Sequence, residues 1–231
     1  MKEGLSILSK SQTNNLILFI HGFTGNSDFT WGSQSNSFPS MLAKNKGIAL
    51  AFDIGVFEYY TRLTQSKVTF DNISSFLKKE KRNKNLSIDE LQELLNTQFV
   101  VSEKNYENVV IIAHSMGGLL SKAFILNKLE LENTCSVKLF ISLAVPHQGS
   151  ELANLGGLIS DNIQIESLKV LNPIITQMNE EWLKASEIPV SKYLYGSNDN
   201  IVKKDSAIQL GAKTNGEFLA INADHSSIAC P

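Results

Sequence analysis

The sequence VVIIAHSMGG, residues 109–118, decides the fold. Four β-branched apolar residues lead into Ser115, and small residues lie on both sides of it. This pattern is typical of a nucleophile elbow, in which a buried strand turns sharply into a helix and presents a strained serine above the sheet. Ala113 replaces the first glycine of the GxSxG pattern. Because alanine is the next smallest residue, we expect the strand and the helix still to approach closely, with Ser115 as the nucleophile.

Apolar runs on either side of the elbow predict the remaining strands of the sheet. A continuous apolar run is expected where a strand is buried on both faces by helices. Helical patterns lie between these runs, and one of them starts with the capping box SIDE at Ser87. The alternation predicts an α/β fold with a mostly parallel, doubly wound sheet flanked by helices. The further strands are predicted at residues 15–23, 47–55, 137–146, 190–197 and 217–223, and the further helices at residues 38–45 and 116–131.

One domain is expected for the whole chain, residues 1–231, because α/β folds of this length commonly form a single core. Residues 147–188 interrupt the alternation with helical, apolar-rich sequence that is long for a crossover. Part of this segment is predicted to form a helical cap or lid.

Only residues 226–231 follow His225. We therefore expect the helix that usually packs behind such a loop to be missing or supplied elsewhere, and the loop to be mobile.

Composition and charge indicate which partners and which cellular location to expect. The formal net charge is −2, and the short basic run at residues 78–82 is typical of a solvated loop, so nucleic acid is not an expected partner. Cys135 and Cys230 do not form a metal-type pair, which fits a reducing compartment. The N-terminus lacks the apolar core of a secretory signal, and no apolar run approaches the ~20 residues that span a bilayer. The expected location is cytoplasmic.

A nucleophilic serine needs a histidine that takes its proton. Of the four histidines, His225 follows the last predicted strand late in the chain, and it is the predicted base. His114 belongs to the elbow itself. His21 is expected to brace the loop after the first strand, and His147 to pack in the core or to brace a loop.

A carboxylate must orient that histidine, and the order serine, acid, histidine along the chain accompanies a nucleophile elbow. Asp199 directly follows a predicted strand, within turn-forming residues, and is the predicted acid. Asp205 and Asp224 are the alternatives. Asp205 falls several residues past the strand end, and Asp224 adjoins the base, where its side chain is expected to point away.

Backbone amides are the expected donors to the oxyanion of a tetrahedral intermediate, because they need no reorganisation as charge develops. The glycines of HGFTG, residues 21–25, allow tight turns near the substrate. The amide of Phe23 is the predicted first donor and that of Met116 the second. Neither a cluster of metal-binding residues nor a phosphate-binding glycine motif is present in the sequence, so no metal or cofactor is expected.

Five motifs, in the order HGFTG, AHSMGG, VPHQGS, YGSNDNIV and DHSSIA, resemble the α/β-hydrolase superfamily over nearly the whole chain. The likeness is to its lipase and esterase branch, which includes bacterial lipases, the inositol deacylase of GPI anchors and SERAC-like serine hydrolases. It implies the α/β-hydrolase fold, with a catalytic triad of Ser115, Asp199 and His225. It also implies an oxyanion hole at Phe23 and Met116. VPHQGS departs from the usual pattern, since valine stands where threonine is common.

The predicted activity is hydrolysis of carboxylic esters, by a lipase or esterase, through an acyl-serine intermediate. Acyl transfer to an alcohol and hydrolysis of an amide or thioester use the same triad and stay open as alternatives. A non-catalytic scaffold for a ligand or partner protein is a further alternative. The expected partner is a small-molecule or lipid ester, with transient contact at a lipid interface. Apolar residues that are predicted to line an acyl groove or to belong to the core are Phe23, Phe29, Trp31, Leu152, Leu155, Leu158 and Ile159.

Overall fold

A computed structural model of the chain describes residues 4–22, 27–59, 88–102, 104–149, 151, 164–213 and 216–231. Within these ranges the strands are β1 (Gly4–Ser9), β2 (Asn15–Ile20), β3 (Asp53–Glu58), β4 (Asn108–His114), β5 (Val137–Leu143), β6 (Val190–Gly196) and β7 (Glu217–Ile221). The helices are α1 (Ser27–Thr30), α2 (Phe38–Lys44), α3 (Lys46–Ala51), α4 (Ile88–Val100), α5 (Met116–Glu132), α6 (Gln164–Lys184) and α7 (Lys204–Lys213). Short 3-10 turns span Gln34–Asn36 and Ser227–Ala229.

The described strands form one sheet in the order β1-β3-β2-β4-β5-β6-β7. β1 runs antiparallel to β3, and every other neighbouring pair is parallel. The carboxyl ends of the six parallel strands therefore meet at one edge, which is where α/β sheets bind their ligands. The predicted α/β-hydrolase fold, a mostly parallel sheet flanked by helices, is confirmed.

Helices cover both faces of the sheet, which explains why its central strands are apolar throughout. In β2, Leu16, Leu18 and Ile20 face one side and Ile17 and Phe19 the other, because side chains alternate along a strand. The first set packs with α4 and α5, through residues that include Leu91, Leu95, Leu120 and Phe124. The second set packs with α2 and α3, through residues that include Phe38, Leu42 and Ile48.

One strand prediction was wrong in part, and one strand was missed. Of residues 47–55, which were predicted as a strand, 47–51 lie in helix α3 and 53–55 begin β3. Asn45 decides the difference, because its side chain accepts a hydrogen bond from the Ile48 amide (3.2 Å) and caps the helix. β1 was missed because it is a half-buried antiparallel edge strand and lacks a continuous apolar run.

The described part of the predicted cap segment includes α6, which ends four residues before the predicted limit at position 188. α6 packs against α5, and Ile175, Met178 and Trp182 on it are buried. This part of α6 thus belongs to the layer of helices that connects β5 to β6. Residues 152–163 lie outside the described residues, so a cap there stays a prediction. In the described ranges, no helix has the length and apolarity needed to cross a membrane.

Candidate active site

The predicted elbow is a sharp turn between β4 and α5. β4 ends at His114, α5 begins at Met116, and Ser115 between them has φ 52° and ψ −128°. A positive φ is unfavourable for a residue with a side chain and persists only where the surroundings enforce it. The Ser115 amide donates to the carbonyl of Leu143 (2.9 Å), so β5 holds the turn in place.

Two glycines after Ser115 let α5 approach the sheet. A Cβ on Gly117 would lie 2.3 Å from the carbonyl oxygen of His21, at the end of β2. A Cβ on Gly118 would lie 2.2 Å from Cγ2 of Val145, in the loop after β5. Ala113, which replaces the first glycine of the pattern, is fully buried in β4, where it pairs with Ile20 of β2.

Ser115, His225 and Asp199 form a hydrogen-bonded chain. His225 Nε2 lies 3.1 Å from Ser115 Oγ, and His225 Nδ1 lies 2.9 Å from Asp199 Oδ2. Asp199 Oδ1 accepts from the amides of Ile201 (2.8 Å) and Val202 (2.9 Å), which fixes the carboxylate. Ser115 and His225 are 3% and 5% exposed, so the hydrogen bond between them is shielded from bulk water.

The charge of Asp199 sets the proton positions along this chain. Burial alone would raise the pKa of Asp199, but hydrogen bonds from His225, Val202 and Ile201 outweigh it and hold the pKa below its usual value. An ionised carboxylate only accepts, so the neutral imidazole carries its proton on Nδ1. His225 Nε2 is then the nitrogen with a free lone pair, and it faces the hydroxyl of Ser115.

The alternative acids are engaged elsewhere. Asp224 Oδ1 accepts from the amides of Ser226 (3.0 Å) and Ser227 (2.8 Å), and this local turn shapes the loop that carries His225. Asp205 lies in the first turn of α7. Asp199 is therefore the carboxylate that meets the histidine.

The predicted oxyanion donors are only partly described. Phe23 lies outside the described residues. Gly22, just before it, lies against Ser115, because a Cβ on Gly22 would be 2.8 Å from Ser115 Cβ. Met116 is the first residue of α5, and the first amides of a helix have no acceptor within the helix.

His21 joins the loop after β2 to β3. Its Nδ1 lies 2.8 Å from the carbonyl oxygen of Gly22, and its ring stacks on Tyr59 at 4.3 Å. The Tyr59 hydroxyl donates to the carbonyl of His21 (2.5 Å). Burial lowers the pKa of His21, although Gly22 and Glu58 oppose this effect, so the ring stays neutral and braces the loop.

His114 makes a contact that the sequence reasoning missed. Its Nε2 lies 2.7 Å from the carbonyl oxygen of His225, and since a carbonyl only accepts, Nε2 carries the proton. Burial, followed by the nearby His225, lowers the pKa of His114 to about 3. The signal in the sequence is a polar residue that ends a buried apolar strand directly before the nucleophile.

A second missed feature is a buried polar network behind the site. Lys122 on α5 is fully buried and donates to Asn179 Oδ1 on α6. Asn179 Nδ2 donates to the carbonyl of His147 (2.7 Å), and His147 Nε2 lies 2.8 Å from Ser142 Oγ. His147 is thus a packed residue that helps to tie the loop after β5 to α6.

The predicted groove residues separate into different environments. Trp31 is fully buried and packs on Phe19, with 4.9 Å between ring centroids, so it belongs to the core. Phe29 is 80% exposed. Leu152, Leu155, Leu158 and Ile159 lie outside the described residues. In the part of the chain that is described, no group of three or more His, Cys, Asp or Glu side chains comes together as a metal site would.

Comparison with known proteins agrees with the fold. The pattern of the family described as "PGAP1-like alpha/beta domain" matches residues 12–228. No curated protein sequence matches the chain. Among solved structures, Est1E from Butyrivibrio proteoclasticus with bound ferulic acid has a TM-score of 0.61 at 14% identity, covering 96% of this chain and 87% of that one.

Two further structures have similar scores. A lipase-esterase related protein from Clostridium acetobutylicum has a TM-score of 0.54 at 13% identity, covering 97% of this chain and 91% of that one. The thioesterase domain from the curacin biosynthetic pathway has a TM-score of 0.55 at 13% identity, with coverage of 97% and 90%. At 13–14% identity, these similarities show a shared fold and do not by themselves assign a function.

Proposed function

Because the chain belongs to the PGAP1-like α/β domain family, we propose that it is a serine hydrolase that cleaves carboxylic esters. The observation that carries the proposal is the hydrogen-bonded chain from Ser115 through His225 to Asp199. Its three members come from loops after three different parallel strands, yet their polar atoms meet in the order that nucleophilic catalysis needs.

In the first half of the proposed reaction, Ser115 Oγ attacks the ester carbonyl carbon while His225 Nε2 takes the hydroxyl proton. The carbonyl oxygen becomes an oxyanion, and the amides of Met116 and Phe23 are the proposed donors to it. The ester C–O bond then breaks, and the leaving alcohol receives the proton from His225. Asp199 stabilises the imidazolium that forms between these two transfers.

In the second half, water replaces the alcohol. His225 Nε2 takes a proton from the water, whose oxygen attacks the acyl carbon bound to Ser115 Oγ. The bond between the acyl group and Ser115 breaks, Oγ recovers the proton from His225, and the carboxylic acid leaves. The net reaction consumes one ester and one water and returns the protein unchanged.

The proposal is tested by stopped-flow hydrolysis of p-nitrophenyl esters over a series of acyl-chain lengths. We expect turnover by the wild type, with a burst of p-nitrophenol where deacylation is slower than acylation, and no turnover in Ser115→Ala. Ser121→Ala is a matched control, since Ser121 is a buried serine on the helix that follows Ser115, and its hydroxyl donates to the carbonyl of Gly117 (2.7 Å). Equal rates in Ser115→Ala and the wild type would overturn the proposal.

Thioester hydrolysis is the second candidate, favoured by the similar fold of the curacin thioesterase domain. The same three side chains serve both reactions, because only the leaving group changes from an alcohol to a thiol. Comparison of kcat/KM for oxygen and sulfur esters with the same acyl group decides between them. We expect the oxygen ester to have the higher kcat/KM.

A further inference from the structure

We infer that His114 is a positioning residue that fixes the backbone of His225, so that the imidazole of His225 meets Ser115. This inference rests on the proposed function, because it assigns His114 a role in the reaction that Ser115 carries out. The contact is long-range in sequence, since His114 and His225 are 111 residues apart.

His114 and Ser115, which are consecutive in sequence, contact the backbone and the ring of His225 respectively. Ser115 Oγ lies 3.1 Å from Nε2 of the His225 ring, while His114 Nε2 donates to the His225 carbonyl oxygen at 2.7 Å. The two rings are close, with centroids 5.0 Å apart and planes inclined by 48°. Because residues 114 and 115 are joined by one rigid peptide unit, the elbow sets the position of the base as well as that of the nucleophile.

Other contacts anchor the His225 loop on either side of His225. Before it, the Asn198 amide donates to the carbonyl of Ala223 (3.1 Å). Asp224 shapes the turn that follows, and Ile228 and Ala229 are buried beyond it. Asp199 holds the ring through Nδ1. These contacts fix the two ends of the loop and the direction of the ring, whereas the bond from His114 holds the carbonyl of His225 itself.

The His114 ring is itself held in place. A Cβ on Gly22 would lie 3.1 Å from the carbonyl oxygen of His114 and 3.4 Å from its Nδ1. His114 is buried, and its ring lies between the loop after β2 and the loop that carries His225. In such a packed setting the hydrogen bond from His114 restricts the position of the His225 carbonyl, because a buried ring has little freedom to follow a displaced acceptor.

The hydrogen bond also persists through a reaction in which His225 gains and loses a proton. Burial, followed by the charge that His225 acquires, lowers the pKa of His114 to about 3, so His114 stays neutral at neutral pH. Its Nε2–H is then a constant donor. The other titratable groups that act on His114 are Asp199, which raises its pKa by less than burial lowers it, and His21, which lowers it slightly further.

The test compares His114→Gln with His114→Met in p-nitrophenyl butyrate hydrolysis. Gln retains an N–H donor at a reach similar to that of Nε2, whereas Met fills a similar volume without a donor. We expect kcat to fall about 10- to 100-fold in His114→Met, since displacement of a reacting group by about 1 Å costs rates of this order. KM is expected to change by less than about threefold, and His114→Gln to recover most of kcat.

A matched control removes a buried hydrogen bond elsewhere. Ser142→Ala breaks the hydrogen bond between Ser142, on β5, and the ring of His147 (2.8 Å). This bond does not involve His225. We expect Ser142→Ala to lower the thermal midpoint while kcat stays near the wild-type value. If His114→Met does not fold, His114→Asn takes its place, because the shorter amide falls short of the His225 carbonyl, and the same loss of kcat is expected.

The outcomes separate the two proposals. Wild-type kcat in both His114→Met and His114→Asn, or an equal loss of kcat in His114→Gln and His114→Met, would overturn the role of His114. Absence of Ser115-dependent esterase activity in the wild type would instead overturn the proposed function.

Discussion

His225 Nδ1 lies 2.9 Å from Asp199 Oδ2, across a separation of 26 residues that includes α7 and β7. The two side chains meet because they follow β6 and β7, which are neighbouring parallel strands whose carboxyl ends share an edge. The remaining carboxylate oxygen accepts two backbone amides, so Asp199 cannot turn away from His225.

Asp199→Asn is expected to lower kcat about 10³- to 10⁴-fold with little change in thermal midpoint. The Asn oxygen still accepts from the Ile201 and Val202 amides. Its NH₂ group then faces His225 Nδ1 and donates to it, which moves the imidazole proton to Nε2 and removes the base. Steady-state kinetics and thermal unfolding check this.

Asp205→Asn is the matched control, because it neutralises an aspartate in the first turn of α7 without touching His225. We expect its kcat to stay within about twofold of the wild type, as for a surface change away from the site. A loss in Asp205→Asn comparable to that in Asp199→Asn would contradict the assignment of Asp199.

Gly118→Ala is expected to lower the free energy of unfolding by about 1–3 kcal/mol, the usual cost of overpacking. The new Cβ would lie 2.2 Å from Cγ2 of Val145. Val145→Ala removes both γ carbons, so the double variant should lose less stability than the sum of the single changes. Urea denaturation of the four proteins measures this coupling, and strictly additive losses would contradict the packing.

Gly117→Ala is expected to lower the free energy of unfolding more than Gly118→Ala does. No second side-chain substitution is expected to compensate for it. Its Cβ would lie 2.3 Å from the backbone oxygen of His21, which no side-chain change removes. α5 would have to move away from β2, and Met116 and Ser115 would move with it. We expect loss of both stability and kcat, measured by urea denaturation and ester hydrolysis; wild-type values for both would show that the helix and strand are not in contact.

Lys122→Met tests whether the protonation of buried Lys122 makes the free energy of unfolding depend on pH. Burial lowers the pKa of Lys122 to about 7, with a smaller opposite effect from Glu181. Above pH 7, therefore, the unfolded chain binds more protons at this residue than the folded one. The wild type gains stability with rising pH, with a limiting slope of about 1.4 kcal/mol per pH unit.

The variant lacks this contribution, so the free energy of unfolding of the wild type minus that of Lys122→Met should increase between about pH 7 and about pH 9. Urea denaturation at several pH values measures the difference, which cancels groups that titrate in both proteins. A difference that stays constant or falls over this range would contradict a buried, neutralised Lys122.

Most of the central sheet and the positions of Ser115, Asp199 and His225 followed from local patterns, because buried parallel strands are rich in apolar residues and these three residues come shortly after strand ends. GIALA at residues 47–51 shows the limit of such reasoning, since a short apolar run fits a strand or a helix, and the Asn45 cap decides between them. The bond from His114 to His225 was not predictable in this way. It depends on how two distant loops pack and not on any local spacing.

The most direct test of the central claim is labelling of the folded protein with a fluorophosphonate, followed by mass spectrometry of its peptides. We predict about one adduct per chain, on the peptide that contains Ser115, no adduct in Ser115→Ala, and slower labelling in Asp199→Asn. A folded wild-type protein that remains unlabelled, or that carries the adduct on another residue, would contradict the assignment of Ser115 as the nucleophile.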